Sequence, residues 1–109
     1  MENDRLKQTH FFITCMEKLE KDSLGWLDTG SSRVFGMYPE FEMADEALKT
    51  NRCDMCETIY DYAVVEEVGY GIHPDVENRW FYKWDSEKHG FFPIDEPEIA
   101  KRYCNFSIG

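Results

Sequence analysis

The chain has 109 residues, 42% hydrophobic and 16% aromatic, enough for one domain with its own core and too few for a second; wholesale disorder is excluded. Twenty-two acidic against twelve basic side chains give a formal charge of −10, which disfavours direct nucleic-acid binding and favours a protein partner with a basic surface. The charged opening Met1–Lys7 leads only into the short apolar run Phe11-Phe12-Ile13. Neither a signal peptide nor a membrane span is therefore expected, and the chain reads as cytoplasmic with its four cysteines reduced.

His10–Met16 is aromatic and β-branched and puts Phe11, Ile13 and Cys15 on one face of a first strand. Lys18–Gly25 reads as a charged connection, and Asp28–Ser32 as a turn entering a second strand over Arg33–Tyr38. Pro39 suits the first turn of a helix carrying Phe41, Ala44, Ala47 and Leu48 at helical spacing, with Asn51 as its stop. A second, shorter helix is expected from Asp54 to about Asp61, with Asp54 and Glu57 as a capping box.

Tyr62–Val68 is a nearly continuous β-branched run closed by Gly69 and Gly71, which predicts a central strand. Arg79–Trp84 and Phe91–Ile94, joined by Asp85–Gly90, predict a hairpin. The remainder is a tail with one helical turn around Glu98–Tyr103. The expectation is a single α+β domain over 1–109 with flexible ends at 1–8 and 105–109. Its order is β-β-α-α-β-β-β, with an antiparallel sheet of four to five strands and two helices on one face.

Asp28-Thr29-Gly30-Ser31 matches the signature of aspartic proteases, and a chain of this length with one such motif resembles the dimeric retroviral type. That chemistry needs two carboxylates sharing a proton, one from each subunit. The resemblance covers five residues, with Val68–Ile72 in the place of a flap. It departs from the family where 39–61 is helical by pattern, and in a tail too short for the family's terminal helix. The same residues are those any tight turn prefers, so Asp28–Ser32 reads as a turn.

Cys53 and Cys56 stand at C-x-x-C spacing, which suits two thiolates on one zinc ion. His73, His89 and Cys104 are scattered and supply no second pair, so no metal and no cofactor is assigned; Cys56 reads as packing beside Ile59 and Tyr60. Asp54 and Glu57 beside these thiols oppose the lowered pKa that redox work requires. Glu66 and Glu67 are adjacent on a strand and point to opposite faces, so they form no catalytic pair.

Two surfaces remain as partner-binding candidates. Asp54, Glu57 and Asp61 at i, i+3 and i+7 form an acidic stripe on the expected short helix, a shape that imitates a phosphate array. The other is the aromatic ladder with Trp80, Tyr82 and Trp84 at its centre, whose rings fall on both faces of the hairpin. With Arg79 nearby the ladder also admits a stacked nucleotide.

The strings Tyr60–Glu67, Gly71-Ile72, Trp80–Trp84, Ile94–Glu98 and Asn105–Gly109 together resemble a family of short acidic proteins from gut bacteria and their mobile elements. The resemblance spans most of the chain and implies a single intracellular domain; it carries over no functional residue. Mobile elements direct such proteins against host defence systems. By that analogy the chain is expected to be a non-catalytic inhibitor or decoy acting on a basic protein. A nucleotide-binding sponge, a zinc-stabilised interaction module and a dimeric protease are the alternatives.

Overall fold

Eight residues from Thr9 to Met16 form strand β1, which sits inside a five-stranded sheet because both its faces are apolar. A computed structural model gives the fold and describes residues 9–69, 76–102 and 106. After β1 come two short strands, β2 (Glu20–Lys21) and β3 (Leu27–Asp28), then β4 (Ser32–Tyr38) and the helix α1 (Phe41–Lys49). β5 (Tyr62–Gly69), β6 (Val76–Asp85), β7 (Gly90–Ile94) and a closing 3₁₀ turn (Glu98–Arg102) complete the order. The main sheet runs β4-β1-β5-β6-β7 with every described neighbour antiparallel, and β2–β3 is a separate two-stranded ribbon.

β4 and β5 flank β1 and are both antiparallel to it, so α1 carries the chain across one face of β1. Its stripe Ala44, Ala47 and Leu48 is buried against Ile13, Cys15, Ala63, Val65, Tyr82 and Phe91. The larger of these side chains, such as Leu48, Ile13, Val65 and Phe91, each contribute roughly 1.5–3 kcal/mol when removed from water, which makes this face the main core. Where α1 ends, Gly90 opens β7, and a Cβ there would overlap the Lys49 carbonyl.

The opposite face is smaller. Met16, Val64 and Phe81 are covered by Ala100, with Leu19, Tyr62, Ile94 and Phe106 around them. Here the fully buried Glu66 accepts the Phe106 N–H at 2.8 Å, and Arg79, paired in register with Glu66, donates to Glu96 and to the Ala100 carbonyl. The chain after β7 is thus held to the sheet by charge-assisted bonds as well as by apolar contact.

The expected strands are present, with β1, β4, β5, β6 and β7 each within three residues of the boundaries read from the sequence. The second helix is not. Asn51 ends α1 in the left-handed region (φ 49°), its carboxamide accepts the Cys56 N–H at 2.9 Å, and its amide donates to Asp54. Cys53, Asp54, Glu57 and Thr58 are left-handed as well. Glu57 N–H does reach Asp54, but at the main-chain carbonyl, as a turn and not as a capping box. Local side-chain bonds have outcompeted a short helix whose good helix formers are only Met55 and Glu57. The resulting turn still buries Met55, Cys56 and Tyr60 on the core, so one helix and one turn cover the face assigned to two helices. Pro39 stands two residues before α1, outside its first turn.

Lys18–Gly25, read as a charged connection, instead supplies β2 and the turn of the β2–β3 ribbon. Residues 1–8, the Gly71-Ile72 element, His73, Tyr103, Cys104 and the 105–109 end, save Phe106, lie outside the described residues. Among the described residues no helix is long and apolar enough to cross a membrane.

Candidate functional site

Two surfaces combine defined geometry with chemistry that the core does not use. The first is the β2–β3 ribbon, which extends the β1–β4 hairpin as an arm. Its loop, Ser23-Leu24-Gly25, is the three-residue hairpin type that needs a left-handed residue at its end, and Gly25 takes φ 86° there. Asp22 fixes the turn through four bonds. Its N–H donates to the Trp26 carbonyl at 2.8 Å, its carbonyl accepts Gly25 N–H, and its Oδ1 accepts Leu24 N–H at 2.8 Å and Trp26 N–H at 2.9 Å. This fixed turn carries Leu24 and Trp26, which are 80% and 70% exposed.

The base of the arm holds the Asp-Thr-Gly-Ser motif. Asp28 Oδ1 accepts Gly30 N–H at 2.9 Å and Oδ2 meets Lys18 Nζ at 3.2 Å, while Gly30 has φ 62°. The Gly30 N–H and then Lys18 hold the Asp28 carboxyl below its usual range. Glu17 closes the other side through its N–H to the Thr29 and Ser31 carbonyls and its Oε1 to Ser31 N–H. The motif is a turn clamped to the end of β1.

The second surface is a cleft of about 500 Å³ between α1 and the margin of the sheet where β7 ends and β6 continues paired with β5 alone among the described strands. Phe41, Asp45 and Lys49 recur every four residues along one side of α1 and line it. Trp80 packs against Phe41, their ring centroids 4.5 Å apart, and the two rings form one aromatic wall of the cleft. Tyr82 donates its hydroxyl to Asp45 Oδ1 at 2.6 Å, and Lys49 Nζ meets Asp45 Oδ2 at 2.9 Å. Burial, reinforced by Asp45, pushes the Tyr82 hydroxyl well above its ordinary value, so it stays protonated and serves as a fixed donor. At the mouth lie Asp95 and Glu96, and Glu96 is engaged by Arg79.

Of the residues singled out from sequence, Trp80 and Tyr82 come together in this cleft. Trp84 does not: it packs edge-on against Phe91 and His89, each 5.2 Å away between centroids, at the other end of the hairpin. The ladder is therefore mostly core, with Phe81, Tyr82 and Phe91 buried and Trp80 and Trp84 half-buried.

The acidic stripe is dispersed. Glu57 is tied to Arg33 at 2.9 Å, while Asp54 and Asp61 are exposed on a turn without helical spacing. Cys53 is exposed whereas Cys56 is buried and donates to the Tyr60 carbonyl, so the pair does not converge on one point. Among the described residues no three potential ligands gather. Burial pushes the Cys15 thiol up to about 12, which keeps it protonated and unreactive in the core.

Sequence reasoning missed Leu24, Trp26, Phe41, Asp45 and Lys49 as surface-forming groups; Asp95 and Glu96 are legible only as acidic residues of the tail, not as neighbours of Trp80. For the arm a signal existed: Asp22 three residues before Gly25, between short polar-apolar runs, is a hairpin pattern. The cleft had none, since it arises only when α1 is laid beside β6. The chain matches no protein-family model, no curated protein and no solved structure.

Proposed function

We propose that this chain is a non-catalytic acidic binding module that acts as an inhibitor or decoy, docking on a protein with a basic surface through the β2–β3 arm. The observation that carries the reading is the display of Leu24 and Trp26 on a turn that Asp22 locks. Two large apolar side chains held in water contribute nothing to folding, and rigid presentation lowers the ordering cost of inserting them into a partner's pocket. Tryptophan is also among the residues that most often dominate interface energetics.

The charge supplies the partner's character. At −10 overall, with Glu20 and Asp22 exposed on either side of Lys21 on the arm itself, the module fits an apolar pocket rimmed by lysine and arginine. Such rim charges act chiefly on the association rate and are screened over about 8 Å at physiological salt.

The test is capture of proteins from host lysate on immobilised chain, wild type against Leu24→Ser with Trp26→Ser, at low and high salt. The expected result is a basic protein retained by the wild type, lost with the double variant and weakened by salt. Retention of the same proteins by a double variant with unchanged melting temperature would remove the arm from the interface.

A further inference from the structure

The cleft between α1 and β6 is separate from the arm, and its chemistry is specific about charge. Its two basic groups are already answered, Lys49 by Asp45 at 2.9 Å and Arg79 by Glu96 at 3.0 Å and the Ala100 carbonyl at 2.7 Å. Asp95, at the mouth, has no basic partner among the described residues. A phosphate-bearing ligand would have to break both ion pairs and approach three carboxylates. A cation meets Asp95 and Glu96 first and then the aromatic wall of Trp80 and Phe41.

Shape narrows the cation. A planar guanidinium lies flat on an indole face and offers a fork of donors to carboxylates at its edge, whereas a compact ammonium uses only the charge. The strand beside the cleft leaves room for the chain that carries it: β6 pairs with β7 only from Phe81 to Asp85, while Val76–Trp80 has no strand on that side among the described residues. An extended peptide fits such an open margin.

We propose that this cleft accepts an arginine side chain from an extended basic segment of the partner protein, stacked on Trp80 and paired with Asp95. The proposal deepens the reading of the chain as a module for basic proteins, and it places a second contact on a surface other than the arm.

The probe is a fluorescein-labelled peptide alternating threonine and arginine, with its citrulline counterpart as the uncharged control of equal shape. Binding is read by anisotropy and by amide shifts in a ¹⁵N spectrum. The arginine peptide is expected to bind at least about tenfold tighter than the citrulline peptide, with shifts concentrated at 76–82 and 93–96. Asp95→Lys, a change at an exposed position, is expected to weaken it about tenfold or more. Trp80→Leu, which keeps an apolar wall, is expected to weaken it by a smaller factor.

Leu24→Ser with Trp26→Ser leaves peptide binding intact if the two contacts are separate, so failure of the arm reading and failure of the cleft are told apart. Equal binding of the citrulline peptide overturns the proposal. So do shifts scattered over the acidic surface, unchanged affinity in folded Asp95→Lys, or saturation of the cleft by a mononucleotide.

Discussion

The main sheet and the arm are both antiparallel strand pairs from one chain, yet they treat large apolar side chains in opposite ways. In the sheet Ile13, Val65 and Phe91 have no exposure, and in the arm Leu24 and Trp26 are almost bare. The difference is not one of order, because the arm's turn is held by four hydrogen bonds through Asp22. A two-stranded ribbon has no second layer to cover its side chains, so the apolar residues at its turn add little to stability. The sheet carries the folding free energy, and the arm draws on it to hold two side chains in water.

This contrast is broken most forcefully in the core. Phe91→Ala removes a ring packed edge-on against Trp84 beneath α1, and is expected to cost about 4 kcal/mol, read as a drop in the denaturant midpoint. Since domains of this size are stable by only about 5–15 kcal/mol, that one change consumes much of the total. On the opposite face the expected loss is smaller. Glu66→Ala deletes the acceptor of the Phe106 N–H and should cost about 2 kcal/mol, with the Phe106 amide losing exchange protection before the amides of β5 do.

What was legible beforehand follows the same division. The strands could be read because their apolar residues recur at strand period or in β-branched runs, and Asn51 marked the end of α1 because its side chain tolerates the left-handed region. Residues 52–60 misled because Asp54 and Glu57 have capping-box spacing, while Asn51, through its bonds to Cys56 and Asp54, directs the chain into turns instead. In the site, Trp80 and Tyr82 were named from their place in an aromatic strand. Asp45 was not, and Asp95 reads only as one acidic residue of the tail, since the proximity of both to that strand is a tertiary fact without a local pattern. The arm is not legible because Lys18–Gly25 reads as a charged connection, and the exposure of Leu24 and Trp26 is not written in one sequence.

Alkali should probe the core without touching the arm. Cys15 holds its proton up to about 12 in the folded chain, chiefly through burial, against an ordinary value of 9.0. Between those values the folded state binds more protons than the unfolded one, so stability is intact below about 9 and falls as pH rises, by up to about 1.4 kcal/mol per pH unit. Cys15→Val is expected to reduce the slope that begins near 9, leaving the part due to Cys56, whose thiol burial also raises from 9.0. The part due to Tyr82 remains and sets in only above its ordinary value of 10.0. The measurement is denaturant unfolding at intervals from pH 7 to 11.

The smallest expected effect on folding is the most informative about function. Leu24→Ser and Trp26→Ser replace side chains already 80% and 70% in water, so their removal forfeits little burial, and the double variant should lie within about 0.5 kcal/mol of the wild type. The bonds from Asp22 go to the main-chain N–H groups of residues 24 and 26, which serine keeps, so the arm retains its shape. Fluorescence should separate the tryptophans as well: Trp26 emits from water and Trp80 and Trp84 from half-buried sites, so Trp26→Ser alone should shift the folded emission to the blue. A loss of more than about 1 kcal/mol would mean that these side chains pack on something in solution, and the arm would then belong to the core. Wild-type stability with a blue-shifted spectrum would leave Leu24 and Trp26 as residues on which folding does not depend, the condition for assigning any loss of partner capture to the contact itself.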